Sequence, residues 1–192
     1  MKEFVKSLAM FVGFAIMTLP AATCWLERLL GAGDRVFTSW GQFCALLPGL
    51  PGTYLRRCFY CLTLKNCARD CTIGFLSQIT NRDTIIESGV YIGPMAVIGL
   101  AKLGRGTLIG TRVGILNGGF QHERLADGTL GAFNAENVGA TQIGTDTWIG
   151  EAAIVMADVG ARCVVGAGSV VHRPVRDGSL VAGNPARFLR NT

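Results

Sequence analysis

Histidine is almost missing from this chain: His122 and His172 are the two in 192 residues. A metal centre that draws three imidazole ligands from one chain is therefore excluded. Charge is sparse as well, at 16% of residues, and the net +5 is not gathered into a basic stripe interleaved with stacking aromatics. That pattern argues against nucleic acid as a partner. No glycine-rich phosphate loop appears in residues 1–70, so a nucleotide-binding domain does not stand ahead of the rest. A cleavable leader is not legible either. Glu3 weakens the basic start, and Ala21-Ala22-Thr23-Cys24 is a poor cleavage or lipidation box. The N-terminal stretch is expected to be retained.

What is present is a beat. Ile73-Gly74, Ile92-Gly93, Ile98-Gly99, Leu103-Gly104 and Ile109-Gly110 recur near every sixth residue. After a break the beat resumes with Ile143-Gly144, Ile149-Gly150, Val159-Gly160 and Val165-Gly166. A period of about six fits neither a helix nor a plain alternating strand, and it fits a solenoid in which each hexad forms one side of a triangular coil. The branched residue is expected to point into the core. The glycine is expected at the corner, where a residue without Cβ turns the chain. Three hexads make a coil, so residues 72–118 and 141–183 hold about five. The steps from Ile98 to Leu103 and from Val155 to Val159 are short. A glycine-rich meander or sandwich is the alternative.

The chain divides into residues 1–70, a hydrophobic helical region; 71–183, an all-β solenoid with an excursion near 117–141; and a tail, 184–192. From Leu8 to Pro20 there is no charge, which as a helix covers only about 20 Å, short of a bilayer core of about 30 Å. Extending from Phe4 to Leu26 reaches spanning length, with Lys6 snorkelling at one end. Trp25, Phe37, Trp40 and Phe43 flank Leu46, Leu47 and Leu50, a pattern that suits helices lying along or dipping into one leaflet. A true span and a hydrophobic oligomer interface are the other readings. Arg56 and Arg57, with Lys65 and Arg69, are placed to meet acidic headgroups or to form a solvated face.

Seven cysteines are many for this length. Cys58, Cys61, Cys67 and Cys71 form two close pairs that a four-thiolate zinc site would need, but the first pair reads as helical and lacks a turn glycine. Small buried hydrophobes fit better, with a disulfide as a third option. No metal is expected.

Three stretches are similar to the hexapeptide-repeat acyltransferases: Gly144 to Val155 (GTDTWIGEAAIV), Val164 to Val171 (VVGAGSVV) and Val181 to Arg187 (VAGNPAR). The leader LPGLPG at 47–52 and LRRCFY at 55–60 resemble a subset linked to surface-polysaccharide and lipid-linked glycan chemistry. The resemblance implies a left-handed parallel β-helix, a hand that the period alone does not give. It also implies a homotrimer with active sites between subunits and acetyl-CoA as acyl donor. A cytoplasmic donor in turn implies that the solenoid sits on the cytoplasmic face of the inner membrane, peripheral or monotopic, among membrane lipids.

His122 stands where the beat stops, after Asn117-Gly-Gly-Phe-Gln, at the start of an excursion from a rigid solenoid. In the resembling enzymes a histidine at this place deprotonates the acceptor; a neutral imidazole is available for that near physiological pH. Asn81, Asp83, Asn117, Glu123 and Glu136 are candidates to bind the acceptor or orient the base, with Asp127 sharing the loop. Small residues expected to let the pantetheine arm of the donor approach are Gly150, Ala152, Ala153, Gly168 and Ser169, with Arg187 for its phosphates. His172 is assigned no role. The expected function is O-acetyl transfer to a hydroxyl of a glycan or lipid-linked sugar. An N-acyltransferase, a longer-chain transferase using acyl carrier protein, and a non-catalytic scaffold are the alternatives.

Overall fold

Short strands that pair from coil to coil make up the body of the computed structural model, which describes residues 2–117, 122–125, 127–133 and 139–192. At 2–5, 122–124, 132 and 133 the backbone alone is described. Three stacks of strands form the faces of a triangular prism. The first face carries β1 (Asn66–Cys67), β4 (Ile85–Ile86), β7 (Ala101–Leu103) and β12 (Thr141–Ile143). The second carries β2 (Thr72–Ile73), β5 (Tyr91–Ile92), β8 (Leu108–Ile109), β13 (Trp148–Ile149), β15 (Val164–Val165) and β17 (Ser179–Ala182), closed by antiparallel β18 (Arg187–Asn191). The third carries β3 (Gln78–Ile79), β6 (Val97–Ile98), β9 (Gly114–Ile115), β14 (Ile154–Val155) and β16 (Val170–Val171). All coil-to-coil pairings are parallel, as in Tyr91 beside Leu108 and Leu108 beside Trp148. Pairing starts at Asn66, within the stretch read from sequence as helical.

The branched residue of each pair does point inward: Ile73, Ile92, Ile109, Ile149 and Val165 stack on one another, fully buried. The reason for the glycines differs from the one expected. Those of the Ile-Gly pairs do not adopt the left-handed backbone. The left-handed residues come two positions later and are often not glycine, as at Met95, Arg112 and Ala152. What the paired glycines provide is close stacking of corners. A Cβ on Gly74 would lie 2.6 Å from the carbonyl carbon of Gly93, one on Gly93 2.8 Å from that of Gly110, and one on Gly150 2.6 Å from the Ala167 nitrogen. Both short steps of the beat fall at the corner between the third and first faces.

A solenoid end exposes core residues and must be covered. Here α1 (Lys2–Leu29), α2 (Arg35–Ala45) and α3 (Gly49–Thr63) cover it, with α3 against β1 and β2 and α2 against β3. Phe37, Phe59 and Tyr60 form an aromatic cluster there, and the Tyr60 hydroxyl accepts the Ile79 N–H at 3.1 Å. Arg56 is a correction to the sequence reading. It is 1% exposed, and its guanidinium donates to the carbonyls of Ile73 (3.0 Å), Cys44 (3.2 Å) and Leu47 (2.6 Å), tying α2, α3 and the first coil together. Arg82, on the coil, is buried against Glu27 of α1, donates to the Cys24 carbonyl at 2.6 Å and pairs with Asp34 at 2.7 Å. Glu27 also accepts the N–H groups of Val36 and Phe37. Burial raises its pKa, but these N–H groups and Arg82 hold it below the usual carboxylate value.

Opposite the packed side of α1, Leu8, Phe11, Ile16, Leu19, Leu26 and Leu29 are exposed. Residues Lys6–Leu29 are long and apolar enough to cross a membrane by length and composition. All seven cysteines are free. Cys67 Sγ lies 3.6 Å from both Cys61 and Cys71, whereas Cys58 turns to Met10 and burial pushes its thiol up to about 11. Among the described residues no group of three or more His, Cys, Asp or Glu side chains is placed to hold a metal ion.

Candidate active site

The third corner, between the third and first faces, collects most of the polar candidates in one column. Asn81 and Asp83 occupy it on the lowest turn, Asn117 two coils above, and His172 near the far end; the excursion leaves from it. The neck of the excursion is built by side chains. Asn117 Oδ1 accepts the Leu100 N–H of the coil below, and Thr141 Oγ1 donates to the Leu116 carbonyl at 2.6 Å, so the outgoing and returning strands are held side by side. Ile149 pairs with Ile109 as Ile109 pairs with Ile92, so the insertion leaves the coil stacking unbroken.

Within the excursion, β10 (His122–Arg124) pairs antiparallel with β11 (Leu130–Phe133). At the tip, Asp127 Oδ1 accepts the Thr129 N–H (2.9 Å) and hydroxyl (2.6 Å), and Gly128 takes a left-handed φ of 81°. The Thr129 hydroxyl, then its backbone N–H, lowers the Asp127 pKa. Asp127 therefore shapes the turn. His122 is opposite Phe133, at the end of the hairpin away from the tip. The side chains of His122 and Glu123, and Glu136 altogether, lie outside the described residues. Asp83 is 3.6 Å from Arg28 and donates its N–H to Asn81 Oδ1 at 2.8 Å, so this pair also meets the helical cap.

The second corner, between the second and third faces, carries the small residues. Ala152 and Gly168 are exposed there with φ of 56° and 66°. Their N–H groups donate to the Thr111 and Glu151 carbonyls of neighbouring coils, both at 2.8 Å. Gly150 helps line a groove of about 570 Å³ on the second face with Gly110, Gly166, Ala167, Leu108 and Trp148. Ala153 and Ser169 lie beneath the surface, and Ser169 Oγ accepts the Gly183 N–H at 3.1 Å. Arg187 is exposed on β18 and donates to the Ala186 carbonyl. His172 lines a separate cavity at the far end with Arg173 and Phe188.

One feature of this groove was not read from the sequence. The residue before each inward branched one faces out, and on the second face these include Tyr91, Leu108 and Trp148, each exposed by more than 40%. On the third face Val97 and Ile154 do the same. The first face instead presents Lys102, Gln142 and Asp158. The signal was in the same pairs: Tyr91-Ile92, Leu108-Ile109, Trp148-Ile149.

No protein-family model matches the chain. Over 72 residues it is 38% identical to a chloramphenicol acetyltransferase of Klebsiella aerogenes, covering 36% of this chain and 33% of that protein. A second chloramphenicol acetyltransferase, of Agrobacterium fabrum, is 39% identical over 72 residues, covering 36% and 32%. The chain thus spans about a third of the length of the curated relatives it matches. Among solved structures, a maltose O-acetyltransferase from Clostridium difficile 630 is similar with a TM-score of 0.65 at 14% identity, over 84% of this chain and 88% of that one. A hexapeptide-repeat-containing acetyltransferase from Vibrio cholerae, complexed with acetyl coenzyme A, is similar with a TM-score of 0.64 at 19% identity, over 84% and 91%.

Proposed function

We propose that this chain, which has the left-handed β-helix of the hexapeptide-repeat acyltransferases, transfers the acetyl group of acetyl-CoA to a hydroxyl of a glycan or lipid-linked sugar. The observation that carries the reading is the hairpin: a neck fixed by Asn117 and Thr141 sets a histidine-bearing strand on the third corner of an otherwise unbroken solenoid. In the proposed step the His122 imidazole accepts the acceptor hydroxyl proton as the oxygen attacks the thioester carbonyl. The tetrahedral oxyanion collapses with loss of the thiolate, which takes the proton from the imidazolium and leaves as CoA thiol. The maltose O-acetyltransferase among the similar structures favours a sugar hydroxyl over an amine.

The groove and the hairpin occupy different corners, separated by the width of the third face. Between Ala152 and Met156 that is about 13 Å of extended chain. A site using both is completed by setting the second corner of one copy beside the third corner of another. The outward apolar rows on the second and third faces, against a polar first face, supply surface for such an assembly, and we assign it as a homotrimer. Ala152, Gly168 and the rim of Gly150 would let the donor lie close, with Ala153 and Ser169 supporting them from beneath and Arg187 facing phosphate.

The apolar outer side of the helical cap supports a membrane-associated assembly. Met17, Ala21, Cys24 and Glu27 commit one side of α1 to the cap while the other side is apolar and exposed. A helix packed along α3 and α2 of the cap lies along a leaflet rather than crossing it. His122→Ala tests the chemistry. Thiol release from acetyl-CoA in the presence of membrane glycans should fall at least about 100-fold, with the fold retained; an unchanged rate would leave the scaffold reading in its place.

A further inference from the structure

Between α1, α3 and the first corner of the lowest coil lies a cavity of about 650 Å³ that acetyl transfer does not use. Lys6, Arg57, Arg69 and Asp70 line it together with Phe11 and Phe14. The two guanidiniums are stacked on rings: Arg57 is 5.3 Å from the Tyr54 centroid and Arg69 5.3 Å from that of Phe14. The rings hold the two guanidiniums in place, and Arg57 Nη1 also reaches Met10 Sδ at 3.9 Å, a weak acceptor that an anion would outcompete. Arg57 Nε is buried and has no hydrogen-bond partner among the described residues. Asp70, the one carboxylate in the lining, already accepts the Ser88 hydroxyl at 2.6 Å. Two guanidiniums therefore converge where, among the described residues of the lining, Asp70 is the carboxylate and is already engaged.

Phe11 lines the cavity and is 72% exposed, and it belongs to the apolar side of α1 that continues through Leu8, Val12 and Ile16. Cationic pocket and apolar strip adjoin on one surface. We infer that this cavity receives the phosphate of an anionic phospholipid whose acyl chains lie against the exposed side of α1. The inference rests on the membrane reading above and deepens it, from a greasy helix to a site with lipid selectivity.

The full chain would be floated with vesicles of phosphatidylcholine, with and without phosphatidylglycerol, at one ionic strength. Each basic residue at an anionic surface is worth about fivefold in partitioning. Wild type should prefer the anionic vesicles at least about tenfold, and R57Q/R69Q should lose that preference while binding phosphatidylcholine as before. If the double variant fails to fold, the single R69Q, at an exposed position, should still lower the preference about fivefold. Wild type that binds neither vesicle sinks the membrane reading itself. Binding without preference, or a preference retained by folded R57Q/R69Q, overturns the phosphate site alone. Release of wild type by millimolar inorganic phosphate at constant ionic strength would overturn the lipid as its source.

Discussion

Two glycines on this solenoid should respond to the same substitution in opposite ways. A methyl group on Gly93 would stand 2.8 Å from the Gly110 carbonyl carbon, 2.9 Å from the Thr111 nitrogen and 3.0 Å from the Gly110 oxygen. All three are backbone atoms of the next coil, roughly 0.6 Å inside van der Waals contact, and none can swing aside. The Gly93 N–H donates to the Ile109 carbonyl at 2.8 Å and the Arg112 N–H to the Pro94 carbonyl at 2.9 Å, so relief means stretching hydrogen bonds between coils. Overpacking of this kind costs about 1–3 kcal/mol, and the entropy gained by replacing glycine returns less than about 1 kcal/mol. At Gly114, on the outer side of β9, a Cβ meets nothing within 4 Å. Neither glycine has a positive φ, so alanine adopts both backbones. Gly93→Ala should therefore lower the melting temperature by about 2–8 °C, and Gly114→Ala should leave it unchanged or raise it by a few degrees. Differential scanning calorimetry at matched oligomeric state reads both. Equal shifts at the two positions would refute the corner-stacking account of the repeat.

Removing Arg82 as Arg82→Met leaves the buried Glu27 carboxylate without its cation and should cost about 3–5 kcal/mol, whereas Glu27→Leu/Arg82→Met should recover at least half; chemical denaturation in detergent reads the difference. Glu27 has a depressed folded pKa, so its contribution is present above the unfolded value near 4.3 and is lost as pH falls through the folded one. Thermal stability of wild type should accordingly drop more steeply below about pH 4 than that of the double variant. Leu108→Asp with Trp148→Ser should convert the proposed trimer to a monomer in light scattering and abolish transfer, since the proposed site needs two copies; an active monomer would remove that requirement.

The beat made the solenoid legible because core side chains repeat at a fixed interval whatever the hand of the coil. It did not reveal why glycine follows the branched residue. Turning and close stacking select the same residue type, and only the spacing between coils distinguishes them. Arg56 and Arg57 show the complementary failure. They are neighbours in sequence, yet one is buried beneath three carbonyls and the other lines a cavity. A helix sends adjacent residues to different sides, and which side meets a carbonyl cluster depends on packing that no local pattern encodes. The partnership of Arg82 with Glu27 was illegible for the same reason, since the two are fifty-five positions apart.

The excursion was visible as a break, and part of its interior was within reach of the sequence. Asp127-Gly128 is a turn signal between Arg124 and Leu130, and the structure forms a hairpin around it. What pattern alone could not give is the placement of that hairpin. It stands on the corner where the beat also runs short, at Ile98 to Leu103 and at Val155 to Val159. A tight corner brings the ends of the preceding and following strands close together, as Leu116 and Thr141 are, so a long insertion there leaves both coils in register. The same economy bears on function. A neck fixed by Asn117 and Thr141 would hold the proposed base at a set place on the prism, at a different corner from its own groove. The corner that tolerates the insertion is thereby also the corner from which, in the proposed assembly, His122 would be carried to a groove on a second solenoid.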